Sequence, residues 1–287
     1  MKTNTEMKVI EEIKQLRAVI NQVRGLGSSI GFVPTMGYLH AGHLSLVKQA
    51  KADNDYVVVS IFVNPTQFGP NEDFAVYPRD IDRDSGLLAE CGVDLLFVPP
   101  ASEIYPDGYN TYVETYGITE TLCGASRPGH FRGVTTVVSK LFNIVQPDRA
   151  YFGQKDAQQY AVIRRMAADL NFPIEVISCP IVREPDGLAL SSRNTYLSVD
   201  EREQALALYE ALKLAESLVA SGERDSAVIR QQLYDTIARR KLARIEYIEL
   251  VDAASLRPVA AVSGDVLVAL AVHFGKTRLI DNTVIRG

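Results

Sequence analysis

The sequence has few cysteines and no long hydrophobic run. Only three cysteines occur in 287 residues, and Cys91, Cys123 and Cys179 are far apart, with no Cys-x-x-Cys pair. This spacing argues against a zinc site and a disulfide framework, and it favours a reducing, cytoplasmic compartment. No apolar run approaches the roughly 18 residues that a bilayer-spanning helix needs. The N-terminal segment mixes acidic and apolar residues, so we expect neither a secretion signal nor a membrane partner.

An excess of positive charge is also lacking. The formal net charge is −5, which provides no basic surface of the kind that binds nucleic acid. Hydrophobic residues make up 47% and charged residues 23% of the chain, as in globular proteins. The length suffices for one large domain or two ordinary ones. We therefore expect a globular protein without a nucleic-acid partner.

Histidine is scarce as well, yet two of the four histidines lie together. The apolar run Ile30–Val33 predicts a buried strand, a proline and a glycine then predict a turn, and a helix is predicted to begin near Leu44. A helix N-terminus at that place suits a phosphate, because its N–H groups and its dipole are positive. His40 and His43 would share one face and could donate to phosphate oxygens. On this stretch alone, packing or surface histidines are the alternative.

Strands and helices alternate through the first two thirds of the chain, which predicts an open parallel sheet with right-handed crossovers. Charged amphipathic helices and then three strands follow Pro185, which predicts a small α+β domain. The fold class is thus α/β, with an N-terminal Rossmann-like parallel-sheet domain over residues 1–184 and a smaller C-terminal α+β domain over residues 185–287. The predicted elements are helix Val9–Val23, strand Ile30–Pro34, helix Leu44–Ala52, strand Tyr56–Val63, helix Ile81–Glu90, strand Leu95–Val98, helix Val134–Val145, strand Arg149–Phe152, helix Ala157–Leu170, strand Ile174–Val182, helices Val199–Ser221 and Asp225–Lys241, and strands Ile245–Leu250, Val266–Val272 and Arg278–Ile285.

Four polar clusters share one placement in this pattern. They are His40 with His43, Asn64 with Gln67, Lys155, and Ser192 with Arg193, and each follows the carboxyl end of a predicted strand. In an open parallel sheet those ends face one crevice, where ligands bind. A lysine alone is more often a solvated charge, and a Ser-Arg pair can merely cap a helix. Four clusters at one sheet edge favour a ligand site.

The run Pro-Thr-Met-Gly-Tyr-Leu-His-Ala-Gly-His, which ends at His43, resembles a known family signature. Its His-x-Gly-His core resembles that of the nucleotidyltransferases, which include class I aminoacyl-tRNA synthetases. The flanking residues narrow the resemblance to the pantoate–β-alanine ligase family, and further matching segments extend it over essentially the whole chain. The resemblance implies condensation of (R)-pantoate with β-alanine in pantothenate biosynthesis, through a pantoyl-adenylate formed from ATP, with release of pyrophosphate and AMP. It also implies a homodimer, and a C-terminal domain that closes over a nucleotide and pantoate site in the N-terminal one.

The same resemblance implies roles for individual residues. His43 would be the general acid toward the phosphates, assisted by His40, and Lys155 would bind the phosphates. Gln67 and Gln159 would hold pantoate, with Gln67 also near β-alanine. The stretch Phe68–Arg79 is the candidate for a lid. The residues implied in ATP binding are Met36, Gly37, Tyr38, Leu39, His40, Ala41, Gly42, His43, Gly153, Gln154, Lys155, Asp156, Val182, Leu190, Ser191, Ser192 and Arg193.

Magnesium is expected to enter the site with the ATP phosphates. Some family members carry adjacent acidic residues beyond the position of Gln67, which makes Asp84 a candidate metal ligand. Here Arg83 interrupts the acidic pair, so a solvated helix face is the favoured interpretation of Asp84.

The roles of Arg127, His130 and Arg132 stay open, although a cationic cluster before a predicted helix suits an anion.

Two other functions remain as alternatives. One is a nucleotidyltransferase that acts on a phosphorylated cofactor precursor, against which the glutamines and the lack of a further basic pocket argue. The other is a nucleotide-binding protein without catalysis, against which the presence of every expected motif residue argues.

Overall fold

The computed structural model describes residues 7–70 and 74–287. These residues divide into two units. The first takes the chain up to Tyr116 together with Arg127–Gly153 and Gln159–Pro180, and the second takes Gly117–Ser126, Gln154–Gln158 and Ile181–Gly287. The division between residues 184 and 185 stays a prediction.

Six parallel strands form the sheet of the first unit, in the spatial order β1-β4-β3-β2-β5-β6. Val57, Val58 and Val59 of the apolar, central β3 are fully buried, as expected for a strand covered on both faces. The predicted parallel α/β sheet is confirmed. The strands are β1 (Lys8–Ile10), β2 (Ile30–Thr35), β3 (Tyr56–Ile61), β4 (Leu95–Phe97), β5 (Arg149–Gly153) and β6 (Glu175–Cys179).

The strand order reverses between β2 and β5. From β2 the chain proceeds to β3 and β4 on one side, whereas β5 and β6 lie on the other side. Such a switch point leaves a crevice outside the carboxyl ends of the two neighbouring strands, where α/β proteins bind their ligands. β2 leads directly into the His40 segment, and β5 ends at Gly153.

Helices connect these strands, and the predicted start of the first helix is wrong. The segment Lys8–Ile10 pairs with β4 as a strand instead of beginning the predicted helix at Val9, because a short apolar stretch fits either period. Among the described residues, no helix is long and apolar enough to cross a membrane. The helices up to β6 are α1 (Ile13–Gly25), α2 (Ala41–Asp53), α3 (Ile81–Glu90), α4 (Ala101–Ile104), α5 (Leu122–Ser126), α6 (His130–Val145) and α7 (Ala157–Asp169).

The first turns of α6 lie directly on the 3-10 turn Pro65–Gln67 that follows β3. A Cβ added at Gly133 would lie 2.4 Å from the Thr66 carbonyl oxygen and 2.7 Å from the Gln67 Cα. Both obstacles are backbone atoms, so no side-chain movement relieves them. Glycine at 133 therefore sets how closely α6 approaches the turn that carries Gln67.

Three helices and a three-stranded antiparallel sheet form most of the second unit, as predicted for an α+β domain. The predicted helix Val199–Ser221 is interrupted at Leu206, which separates α8 from α9. One face of the sheet shares a buried apolar core with α9 and α10, including Leu212, Ile229 and Leu270. The elements are α8 (Val199–Ala205), α9 (Ala207–Ala220), α10 (Ser226–Ala238), β7 (Ala243–Asp252), β8 (Asp265–Phe274) and β9 (Thr277–Arg286).

A partly buried ion cluster joins the three strands of this sheet. The Glu246 carboxylate accepts from Arg278 Nη2 at 2.8 Å and Nε at 2.9 Å, and His273 Nε2 lies 3.0 Å from it. The Arg278 contact, opposed by burial, lowers the pKa of Glu246 from 4.5 to about 2. Because the folded-state pKa lies below the unfolded one, the cluster stabilises the fold above about pH 4.5 and ceases to do so as the pH falls toward 2.

Gly133→Ala should lower the free energy of unfolding by about 1–3 kcal/mol, because the added methyl group overlaps the backbone of the Pro65–Gln67 turn. Gly86→Ala in α3 is the matched control, since nothing lies within 4 Å of a Cβ there. That change should stabilise by up to about 1 kcal/mol through helix propensity. Urea unfolding followed by circular dichroism measures both, and equal effects of the two substitutions would contradict the close approach.

Glu246→Gln should destabilise the protein at pH 7, and the difference from wild type should shrink as the pH falls from about 4.5 toward 2. Glu249→Gln is the control on the same strand, because Glu249 only approaches Arg230, at 3.9 Å. Urea unfolding at a series of pH values measures the difference. A gap between Glu246→Gln and wild type that is the same at neutral and acid pH would rule out the ion cluster as its cause.

Candidate nucleotide and substrate site

His40 and His43 cap the N-terminus of α2 with reciprocal hydrogen bonds. His40 is the N-cap, and its Nδ1 accepts the Gly42 N–H at 3.1 Å. His43 Nδ1 accepts the His40 N–H at 3.4 Å, and the ring centroids are 4.1 Å apart. The helix begins at Ala41, not near Leu44 as predicted, because histidine takes a capping place that sequence rules assign to Ser, Thr, Asp or Asn.

This reciprocal cap fixes the tautomer of both rings. A ring nitrogen that accepts an N–H carries no hydrogen, so in each neutral imidazole the hydrogen is on Nε2. Both rings lie in the first turn of α2, where the helix dipole is positive. The arrangement provides two Nε2–H donors at a helix N-terminus, which suits phosphate oxygens.

Residues of α3 bind the backbone of the loop between β2 and His40. The Asp84 carboxylate accepts the Tyr38 N–H at 2.6 Å and the Leu39 N–H at 2.8 Å. Arg83 donates from Nη2 to the Leu39 carbonyl at 2.7 Å, and its guanidinium lies over the Tyr38 ring. Asp84 is fully buried, so the interpretation of a solvated helix face is wrong. One aspartate among the charged residues of a helical turn gives no sequence signal of this contact.

The surroundings of Asp84 decide whether its carboxylate is suited to bind magnesium. Burial raises the pKa of the Asp84 carboxyl above its usual value, while the two loop N–H groups and Arg83 act in the opposite direction. Both carboxylate oxygens already accept hydrogen bonds. Across residues 7–70 and 74–287, no group of three or more His, Cys, Asp or Glu side chains could hold a metal ion. These residues do not form a protein cage for magnesium.

Asn64 is a hydrogen-bonded hub beside Gln67. Its Nδ2 donates to the Gln67 Oε1 at 3.2 Å and to the Gly133 carbonyl at 3.1 Å. Its Oδ1 accepts from the hydroxyls of Thr66 at 2.9 Å and Tyr105 at 2.8 Å. The Gln67 amide is held at both ends, because its Oε1 accepts from Asn64 and its Nε2 lies 2.9 Å from the Met36 Sδ. One of the two Nε2 hydrogens is left for a further acceptor. Tyr105 has no sequence signal that links it to this site.

Arg127 and His130 hold the backbone of the same glutamine. His130 Nδ1 lies 2.9 Å from the Gln67 carbonyl oxygen, and Arg127 Nη1 lies 3.1 Å from His130 Nε2. These contacts are consistent with a neutral His130 that donates from Nδ1 and accepts at Nε2. Arg132 instead lies over the Tyr112 ring at 3.9 Å. Arg127 and His130, at the N-terminus of α6, thus fix the Gln67 turn.

In the second unit, the sheet holds the backbone that carries Lys155. Gln154, Lys155 and Asp156 form a 3-10 turn. The buried Asn282 on β9 donates to the carbonyls of Gln154 and Lys155, both at 2.9 Å. Lys155 is therefore mounted on a backbone that is fixed at two successive peptide groups.

A hairpin brings together Val182 and Leu190, two residues of the implied ATP-binding set that are not adjacent in the sequence. The Leu190 N–H donates to the Val182 carbonyl at 3.0 Å. Gly187 turns the hairpin with a φ of +99°, in close contact with the Tyr209 ring. Arg183 binds the buried Asp281 on β9 with both guanidinium arms, at 2.6 and 2.9 Å. The hairpin is thereby fixed to the antiparallel sheet.

The residues that follow the hairpin form a second capped turn. Ser192–Tyr196 is a 3-10 helix whose N-cap is Ser191, and the Ser191 hydroxyl accepts the Arg193 N–H at 3.3 Å. Ser192 is buried and Arg193 is half-buried. The implied ATP-binding residues from Val182 to Arg193 thus belong to one continuous, hydrogen-bonded segment of the second unit.

The two glutamines at the start of α7 have different surroundings. Gln158 is buried and donates to the carbonyls of Ile118 and Thr121, at 3.0 and 2.8 Å, so it supports the fold. Gln159 is half-buried. Its contact with pantoate stays a prediction.

The candidate lid Phe68–Arg79 includes residues 71–73, which lie outside the described residues. The described part is an aromatic cluster. The Phe68 ring lies 5.3 Å from that of Phe74 and 5.9 Å from that of Tyr77, and Arg79 donates to the Phe74 and Tyr77 carbonyls. The lid role stays a prediction.

Similarity to known proteins extends over almost the whole chain. The family model described as pantoate-beta-alanine ligase matches residues 8–284. A pantothenate synthetase from Acetivibrio thermocellus is 61% identical over 279 residues, which are 97% of this chain and 99% of the relative.

Solved structures agree with this comparison. The crystal structure of pantothenate synthetase from Thermus thermophilus has a TM-score of 0.94 and 46% identity, over 98% of this chain and 100% of that one. The pantoate-beta-alanine ligase from Francisella tularensis, complexed with beta-gamma ATP and beta-alanine, has a TM-score of 0.81 and 39% identity, over 97% of each chain. Since both the sequence and the fold match over nearly their whole length, this chain belongs to the pantoate–β-alanine ligase family.

Proposed function

We propose that this protein condenses (R)-pantoate with β-alanine, using ATP, to give pantothenate, AMP and pyrophosphate. The observation that carries the proposal is the His40–His43 cap, which places two imidazoles at a helix N-terminus beside the switch point of a sheet in a member of this ligase family. The solved relative from Francisella tularensis is complexed with beta-gamma ATP and beta-alanine, which supports the same two ligands here.

The proposed reaction has two steps. A carboxylate oxygen of pantoate attacks the α-phosphorus of ATP, and the bond from that phosphorus to pyrophosphate breaks. The uncharged amine of β-alanine then attacks the carbonyl carbon of pantoyl-adenylate, and the carbon–oxygen bond to AMP breaks while the nitrogen loses a proton. Both steps bring negative groups together, so fixed cationic and N–H donors lower their barriers.

Each donor has a place in this scheme. His43, assisted by His40, donates from Nε2 to the phosphates and stabilises the charge that develops on pyrophosphate. Lys155 supplies a full positive charge to the same phosphates. The Met36–Gly42 segment, Gly153–Asp156 and the Val182–Arg193 segment bind the rest of ATP through backbone and side-chain contacts.

Pantoate is assigned to the glutamines. The Gln67 amide, oriented by Asn64, donates to a carboxylate or hydroxyl oxygen without adding charge, and Gln159 holds the other end. A pair of uncharged amides suits a hydroxy acid better than a phosphorylated acceptor, which would need further cations. This argument favours the ligase over a nucleotidyltransferase that acts on a phosphorylated precursor.

In this proposal magnesium binds together with ATP. It would be held by the phosphates and water, and there it would neutralise charge on the β- and γ-phosphates.

A homodimer and a cytoplasmic location are also part of the proposal. Family resemblance supports the homodimer, and consumption of ATP supports the location.

The test is pyrophosphate release from ATP by purified protein. With (R)-pantoate alone, we expect a burst of about one equivalent per site, since the adenylate stays bound. Addition of β-alanine should convert the burst into steady turnover, with AMP and pantothenate identified by mass spectrometry. Binding of ATP with no pantoate-dependent release would contradict the proposal and direct the search to other acceptors, including phosphorylated cofactor precursors.

Lys155→Ala should slow the pantoate-dependent release of pyrophosphate by roughly 10²–10³-fold, the cost of about 3–4 kcal/mol for one transition-state donor. Lys48→Ala is the control, because Lys48 is exposed on α2. Rapid-quench measurement of the burst rate compares the variants. A Lys155→Ala burst as fast as that of wild type would remove Lys155 from the assigned role.

Asn64→Asp should raise the KM for pantoate by roughly tenfold, equivalent to about 1.4 kcal/mol, and leave the KM for ATP within about twofold. The new carboxylate cannot donate to Gln67 or Gly133 and repels both acceptors. Asn143→Asp is the control, since Asn143 is exposed and donates to a carbonyl of its own helix at 3.0 Å. Steady-state kinetics with each substrate varied in turn makes the comparison. A rise confined to the KM for ATP would show that Asn64 does not orient the pantoate glutamine.

A further inference from the structure

We infer that Asp84 is a positioning residue for the nucleotide-binding loop and not a magnesium ligand. Its carboxylate holds the backbone of residues 37–39 so that His40 reaches the N-cap of α2. The kinetic part of this inference depends on the proposed function, whereas its structural part does not.

The contacts are specific to the peptide groups before His40. The two oxygens of Asp84 accept separate N–H groups, from Tyr38 at 2.6 Å and from Leu39 at 2.8 Å. Arg83 donates to the Leu39 carbonyl at 2.7 Å and approaches the Asp84 Oδ1 at 3.2 Å. Residues 83 and 84 thus bind both backbone polar groups of Leu39, which is itself fully buried.

The loop needs such contacts because its backbone is unfavourable. Gly37 and Tyr38 are both left-handed, with φ of +84° and +50°. The left-handed region is unfavourable for a non-glycine residue such as Tyr38, which persists there only where its surroundings hold it. A Cβ at position 37 would also lie 3.2 Å from the Asp84 Oδ2 and 2.9 Å from Ile61. Glycine at 37 therefore permits the close approach, and Asp84 stabilises the turn that results.

Burial makes a second role for the carboxylate costly. Asp84 is fully buried, and a buried carboxylate is tolerated only where hydrogen bonds or charges replace its lost hydration. Here two loop N–H groups and the neighbouring guanidinium do so. A magnesium ion would have to reach a fully buried carboxylate and compete with these donors, which hold the loop that precedes His40.

Two variants and a control test this inference. Asp84→Asn keeps the shape but replaces one acceptor by an NH₂ group that faces a loop N–H. Asp82→Asn makes the same change at an exposed position in the same helical turn. Arg83→Gln removes the outer contact to Leu39 while leaving the buried carboxylate in place. Because Arg83 is exposed, this variant keeps the test available if Asp84→Asn does not fold.

The first readout is hydrogen–deuterium exchange of peptides that cover residues 37–43. Asp84→Asn should speed exchange of the Tyr38 and Leu39 amides at least tenfold, and Arg83→Gln should speed it less. Asp82→Asn should match wild type. This readout needs no catalytic activity, so it decides the structural part even if the protein proves to use other substrates.

The second readout is kinetic. Asp84→Asn should lower kcat for pyrophosphate release by roughly tenfold to a hundredfold, as expected for a misplaced donor. The KM for β-alanine and the magnesium concentration that gives half-maximal activity should both stay within about twofold of wild type. Asp82→Asn should change none of these values.

Two outcomes would overturn the inference. One is recovery of Asp84→Asn activity at high magnesium concentration, which would identify Asp84 as a metal ligand. The other is unchanged exchange of the Tyr38 and Leu39 amides in the folded Asp84→Asn variant. If exchange rises while wild type itself forms no pantothenate, the positioning role stands and the proposed function fails.

Discussion

The structure of the candidate site depends on the reciprocal hydrogen bonds between two histidines and the first turn of α2. Each ring accepts a backbone N–H through Nδ1, so each ring is fixed in place and in tautomer by the helix that it caps. The remaining hydrogen is then on Nε2. The same contacts that begin the helix therefore set the orientation and the tautomer of the two imidazoles to which the proposed function assigns the phosphates.

Three further features of the first unit position the histidine cap and the Gln67 turn. The reversal of strand order places the end of β2 beside β5. The loop after β2 takes a left-handed path that α3 stabilises through Asp84. After the neighbouring strand β3, Asn64, His130 and Gly133 fix the turn that carries Gln67. The His40 loop and the Gln67 turn are thus held by residues that take no direct part in the proposed chemistry, as preorganised catalysis requires.

Much of this architecture could be predicted from the sequence. The apolar run of β3, the helix Ile81–Glu90 and the three C-terminal strands follow from periodicity, which reports burial directly. The His-x-Gly-His run and its flanks identified the family. The start of α2 could not be predicted, because histidine is an unusual cap. The strand at Lys8–Ile10 was mistaken for helix, since three residues are too few to define a period.

The contacts that support the site residues could not be predicted from the sequence for a different reason. Asp84, Tyr105 and Asn282 act across long distances in sequence, and nothing in their local patterns names a partner. Asp84 in particular was interpreted as solvated, because Asp80, Asp82 and Arg83 surround it in a polar helical turn. Only the fold shows that its side chain faces a loop 45 residues earlier. Residues of this kind become predictable once the strand order is known.

The most direct test of the account is the fate of oxygen-18 placed in the carboxylate of (R)-pantoate. If that carboxylate attacks the α-phosphorus of ATP and the amine of β-alanine later displaces AMP, one labelled oxygen must appear in AMP. Mass spectrometry of the products should find the label in AMP, and none in pyrophosphate. Pantothenate formed with unlabelled AMP would contradict the adenylate pathway and, with it, the proposed use of the histidine cap.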